Sequence, residues 1–205
     1  MKLYYAPGAC SIGIHILLEE IGKPYEVQAV NLRAGDQRKP EFVALNPKSK
    51  VPTLVRDDGS VLTEFPAIAY WLARTNPQAK LLPEDVEGQA RALEAVDYAV
   101  STVHMQGFSR LFGPANFGPS EADADKVKAR GKEIIEGAFQ KLDKALAGKD
   151  YVLGSYSIAD AATFYVENWS GNFGINLPAN VAAHYARVKA RPAVGRVFAA
   201  EGLKH

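Results

Sequence analysis

The chain has 205 residues, 47% hydrophobic and 23% charged, a composition that suits a globular protein of one large or two small domains. Its formal net charge of +1 gives no overall electrostatic case for binding nucleic acid or an anionic membrane. No uncharged apolar run approaches the roughly 20 residues of a membrane helix, the opening MKLYYAPGACSIG lacks the apolar centre of a signal peptide, and the lone cysteine, Cys10, has no partner for an internal disulfide, so a cytoplasmic location is expected.

In chain order, Lys2 to Tyr5 reads as a short strand broken by Pro7 and Gly8. Ser11 to Ile21 follows as a helix with Ile12, Ile16 and Leu17 on one side, ended by Gly22 and Pro24. Tyr25 to Val30 reads as a strand, and Gln37 to Leu45 as a short helix stopped by Asn46-Pro47. Pro52 to Arg56 and Ser60 to Leu62 flank Asp57-Asp58-Gly59, a hairpin signal. Thr63 is placed to cap a helix running through Ala73. The stretch 77–86 reads as a linker.

Beyond it the pattern is helical. Glu87 to Phe112 is a long candidate, Gly113 to Pro119 a break, and Glu121 to Leu146 a second long helix with Ile134, Ile135, Ala138, Phe139 and Leu142 as its apolar stripe. Three shorter helices are expected over 158–169, 178–190 and 193–201, the first opened by a capping box in Ser157 and Asp160 with a stabilising role. The expected class is α+β: a small α/β domain over 1–76 and an all-helical domain over 87–205.

Ordered motifs along almost the whole chain carry a resemblance. They are MKLYYAPGACS, Asn46-Pro47-Lys48-Ser49-Lys50-Val51-Pro52-Thr53-Leu54, Leu62-Thr63-Glu64, Val103-His104, Ser157-Ile158-Ala159-Asp160, and Arg191-Pro192-Ala193-Val194 with Ala200-Glu201-Gly202-Leu203. In these the sequence resembles the cytosolic glutathione transferase family, most closely its bacterial beta class. The resemblance implies a thioredoxin-like N-terminal domain, a helical C-terminal domain and a homodimer. It also implies glutathione as co-substrate, a small electrophilic second substrate, and no metal.

Position alone leaves Cys10 open between two readings. Beside a helix N-terminus a thiol gains from the positive end of the dipole and ionises more readily; equally, a lone cysteine is a common small buried hydrophobe. The resemblance implies that Cys10 lies beside the sulfur of glutathione, either bonded to it as a mixed disulfide or hydrogen-bonded to its thiolate. No second cysteine follows, so redox work would need glutathione as the other thiol.

Tyr5 and Ser11 are implied hydroxyl donors near that sulfur, with strand packing and a plain helix residue as their ordinary readings. Val51-Pro52 resembles the cis-proline corner whose backbone pairs with the cysteinyl part of the ligand. Glu64 is implied to hold the γ-glutamyl ammonium, against its ordinary reading as a first-turn acid. Phe65 and Pro66 depart from the small residue expected next, leaving the Phe65 backbone N–H to serve. Arg33, Lys48 and Lys50 are candidates for the glycyl carboxylate, with solvated cations as the alternative. His104 is implied to face Cys10, although a lone helix histidine is commonly structural. Asp97 stands where the class often carries an asparagine reaching the other subunit's site.

The electrophile's pocket is expected between the domains, near Tyr5, with Met105, Phe108, Leu111, Phe112 and Phe117 as apolar candidates or core. Three functions compete: conjugation of glutathione to an electrophile, glutathione-dependent thiol–disulfide chemistry through Cys10, and a non-catalytic ligand-binding or regulatory protein on the same fold.

Overall fold

The computed structural model describes residues 1–118 and 120–204. It divides into two compact units, Met1–Pro83 together with the chain from Lys189 onward, and Glu84–Val188.

The first unit carries strands β1 (Lys2–Tyr5), β2 (Glu26–Ala29), β3 (Thr53–Val55) and β4 (Val61–Thr63), in the sheet order β2-β1-β3-β4. β1 and β2 run parallel, so the chain between them must cross over the sheet, and helix α1 (Ser11–Ile21) makes that crossing. The other pairs are antiparallel. Helices α2 (Pro40–Leu45) and α3 (Phe65–Thr75) complete the α/β part.

Every residue from Ser11 to Leu18 is buried, because α1 packs against β1, α3 and the C-terminal helix. Gly22, at φ +71°, ends α1 in the left-handed conformation that glycine adopts without a Cβ penalty, and donates to the Leu18 carbonyl. Thr63 is the last residue of β4 instead of the cap of α3. The N-cap is Glu64, at φ +71°, and the helix starts at Phe65.

The second unit holds α4 (Val86–Asp97), α5 (Ser109–Phe112), α6 (Ala124–Leu146), α7 (Ile158–Ser170) and most of α8 (Ala179–Lys189). Asp85 caps α4 by accepting from the Gly88 N–H at 2.8 Å. Between α4 and α5 the backbone of Tyr98–Phe108 is wound as a π-helix, so the long expected helix is unbroken along the chain but not uniform in pitch. This segment crosses α6 closely at Gly107 and Gly131: a Cβ built on Gly131 would stand 2.9 Å from the Gly107 carbonyl oxygen. The expected break contains a 3-10 turn at Pro114–Asn116, and its last residue, Pro119, lies outside the described residues.

The capping box of α7 is present. Ser157 accepts from Ala159, and Asp160 accepts from the Ser157 N–H at 2.8 Å. Asp160 does more than close the helix start. It also accepts from the Val152 N–H at 2.8 Å and lies 3.0 Å from His184 Nε2, while His184 Nδ1 lies 2.9 Å from Glu167. Burial by itself would depress the histidine's pKa, but the hydrogen bonds to Asp160 and Glu167 outweigh it and lift His184 to about 9. Both ring nitrogens therefore carry protons at neutral pH.

The C-terminal helix, α9 (Pro192–Glu201), departs from the sequence expectation. Helical as expected, it packs with the α/β unit instead of the helical one. Ala193, Val194, Val197 and Phe198 are buried, and each fully buried Val or Phe contributes about 1.5–3 kcal/mol. Polar contacts fix its register on α1: Arg191 reaches Glu20 at 2.6 Å, Arg196 pairs with Glu19, and the buried Glu201 accepts from His15 Nδ1 at 2.8 Å. Sequence alone did not signal this placement, since a short amphipathic helix fits either unit.

Candidate active site

The site is built from three loops of the first unit. The β1–α1 loop is held at both ends. The buried Ser11 hydroxyl accepts from the Ala6 N–H at 3.2 Å and donates to the Ala6 carbonyl at 3.3 Å, and the Gly8 N–H donates to Glu201 at 2.9 Å. Gly8 sits at φ +68°, a turn geometry that suits glycine. These ties set Cys10 at the N-cap of α1, where its S–H donates to the Val51 carbonyl at 3.5 Å.

The second loop, between α2 and β3, is stapled from inside by Asn46. Its amide donates to the Lys50 carbonyl at 2.9 Å and to Thr53 Oγ1 at 2.8 Å, and its oxygen accepts from the Lys48 N–H at 3.1 Å. The Thr53 hydroxyl adds a bond to the Lys50 carbonyl at 2.9 Å. The Val51–Pro52 peptide that follows is cis. The sequence reads Asn46 as a helix stop; its further role as the staple of this loop depends on contacts that only the fold brings about.

The third loop joins β4 to α3. Glu64 holds a positive φ that costs a non-glycine residue about 1–3 kcal/mol, a strain found at ligand clamps among other places. Its exposed carboxylate accepts from Lys48 Nζ at 2.7 Å, and the same ammonium donates to Thr63 Oγ1 at 2.9 Å.

The Cys10 thiol is not activated in the way that its position at a helix start suggests. Burial pushes it up to about 12; the backbone N–H groups of Ser11 and Cys10 and the charge of Lys50 pull the other way but do not offset it, and Glu64 adds to the rise. Desolvation outweighs the helix terminus, and at neutral pH Cys10 is a protonated hydrogen-bond donor.

The remaining expected residues fall in different places. Tyr5 is 6% exposed, and its ring meets that of His15 at 5.4 Å in a tilted arrangement; burial and the charge of Glu201 raise its phenol. It lies on the α1 face of the sheet and takes no part in the contacts joining Cys10, Val51, Lys48 and Glu64. Ser11 is spent on the loop itself. Arg33 and Lys50 are exposed, Lys50 near enough to act on Cys10. Phe65 is buried at the start of α3, and Pro66 fills its first turn without an N–H.

Asp97 and His104 belong to the second unit. Asp97 ends α4, exposed, accepting from the Ser101 hydroxyl at 3.4 Å. His104 lies on the π-wound segment, 3.4 Å through Nδ1 from the Tyr165 hydroxyl and edge-on to Trp169 at 4.8 Å. The apolar candidates separate. Phe108 (0% exposed) and Leu111 (7%) are core, while Met105 (43%), Phe112 (54%) and Phe117 (40%) are open. Phe112 meets Trp169 at 5.0 Å and Phe173 at 5.1 Å, forming an aromatic ledge. Among the described residues no group of three or more His, Cys, Asp and Glu is placed to hold a metal ion, and no helix is long and apolar enough to cross a membrane.

The model of the glutathione S-transferase N-terminal domain family matches residues 8–75. The glutathione S-transferase GstA of Escherichia coli O157:H7 is 34% identical over 100% of both chains. A bacterial beta-class glutathione S-transferase of Sphingomonas chungbukensis matches over 100% of both chains at 34% identity and a TM-score of 0.87. A sphingomonad glutathione S-transferase solved in complex with glutathione does so at 35% identity and a TM-score of 0.86.

Proposed function

The chain belongs to the glutathione S-transferase family, and from that membership we propose that its first unit binds glutathione across the three loops and presents the thiolate to an apolar electrophile. The observation that carries this reading is the shared scaffold of Cys10, Val51 and the Lys48–Glu64 pair: Cys10 donates to the Val51 carbonyl, Asn46 ties the loop that carries both Lys48 and Val51, and Lys48 bonds the exposed Glu64 carboxylate. The cysteinyl backbone of glutathione pairs with Val51, and Glu64 takes the γ-glutamyl ammonium.

Cys10, protonated, turns its S–H from the Val51 carbonyl to the glutathione sulfur. A donor to the thiolate stabilises the anion, and the Lys50 charge adds to it. The glutathione proton leaves to solvent, the sulfur forms a bond to the electrophilic carbon, and the leaving group departs with its electron pair. Thiol–disulfide exchange through Cys10 is the slower reaction, because the thiolate is the attacking form and burial keeps Cys10 protonated. The non-catalytic reading is not favoured, since the full-length relatives are transferases.

The active form is a homodimer in the cytoplasm, with Asp97 directed to the partner's ligand; sedimentation at working concentration reads the oligomer directly. Steady-state conjugation of glutathione to an activated aryl halide tests the core of the reading. Glu64→Ala should raise KM for glutathione about tenfold or more, from the loss of a charge-assisted contact. A near-normal KM removes Glu64 from the site.

A further inference from the structure

Lys48 is more than a solvated lysine. Its ammonium bonds the Glu64 carboxylate at 2.7 Å and Thr63 Oγ1 at 2.9 Å, yet both side chains stay half-open, Lys48 at 52% and Glu64 at 54%. An exposed pair of this kind is weak and opens at little cost to admit a ligand. Its two charges stand side by side with opposite sign, the pattern of an α-amino acid end in reverse, where ammonium and carboxylate hang from one carbon. Glu64 can answer only the ammonium.

The carboxylate of that end needs donors, and the first turn of α3 is short of them. Pro66 has no N–H and the Phe65 side chain has no hydroxyl. Lys48 is the cation already standing beside Glu64. It is also held in register: its own N–H is fixed on Asn46 Oδ1 at 3.1 Å, in the loop whose far end carries Val51. A ligand seated on Val51 would therefore find Lys48 at a set distance.

Resting on the glutathione reading above, we propose that Lys48 receives the α-carboxylate of the γ-glutamyl end, so that Lys48 and Glu64 together select ligands ending in a zwitterionic α-amino acid. The glycyl carboxylate at the other end is then left to other groups.

The test is calorimetric binding of glutathione and of γ-aminobutyryl-cysteinylglycine, which lacks only the α-carboxylate, to the wild type, Lys48→Met and Lys48→Arg. Lys48→Met should weaken glutathione binding about tenfold and leave the analogue unchanged, and Lys48→Arg should recover most of the loss. The wild type should itself bind the analogue about tenfold more weakly than glutathione, a comparison that needs no variant. Equal weakening of both ligands by Lys48→Met, tighter or unchanged glutathione binding, or a wild type indifferent to the α-carboxylate overturns the assignment while glutathione binding stands. A wild type that binds neither ligand overturns the glutathione reading and this assignment together.

Discussion

The protonation of Cys10 is open to direct titration. Burial raises the thiol from 9.0 to about 12, so at any pH below 9 the folded protein holds roughly a thousandfold less thiolate than an exposed cysteine. Alkylation by iodoacetamide follows the thiolate fraction. With a single cysteine in the chain, mass spectrometry of the intact protein reads the adduct without ambiguity. The ligand-free protein should label very slowly at pH 8, with a rate still climbing above pH 10. Adding denaturant should restore the rate of an ordinary thiol. The same rise makes the protonated form part of the fold's stability, present below pH 9 and lost as pH climbs toward 12. A labelling rate that inflects below pH 8 in the folded protein refutes the reasoning, and would mean that the α1 terminus and Lys50 outweigh desolvation after all.

Three further outcomes follow from the packing. His184, lifted from 6.5 to about 9, contributes about 3 kcal/mol that is complete below pH 6.5 and gone above pH 9, so urea midpoints should fall across that window and His184→Gln should flatten the fall; a wild-type midpoint constant from pH 6.5 to 9 contradicts the charged pairing. Glu201→Ala strips the acceptor from His15 and from the Gly8 N–H, and should cost about 3 kcal/mol while raising KM for glutathione through the loosened Cys10 loop; lost stability with an unchanged KM would separate α9 from the site. Gly131→Ala forces a Cβ to 2.9 Å from the Gly107 carbonyl and 3.0 Å from Arg110 Cβ, so thermal melting should reveal a loss of about 1–3 kcal/mol, and an unshifted melt would mean the crossing is looser than described.

Much of this molecule is legible in its residues because local signals agree with the fold. Gly22 ends α1, Asp57-Asp58-Gly59 turns the hairpin between β3 and β4, and Ser157 with Asp160 opens α7, each by chemistry confined to a few neighbours. The unreadable parts depend on distant partners. Nothing near Glu201 announces that its carboxylate reaches Gly8 across 193 positions, and nothing near Lys48 announces Glu64. The Thr63 cap fails by one residue because Glu64 takes a positive φ. The ionisation of Cys10 is left open for the same reason: sequence reveals the helix start that favours the thiolate, but not how far desolvation opposes it.

The most direct measurement is the ionisation of bound glutathione, followed by thiolate absorbance against pH in the wild type and in Cys10→Ala. A donor at Cys10 predicts that the bound thiol ionises at lower pH than free glutathione, and that removing the Cys10 S–H moves the midpoint back up. A bound thiol that titrates like the free tripeptide, or a midpoint indifferent to Cys10, contradicts the account.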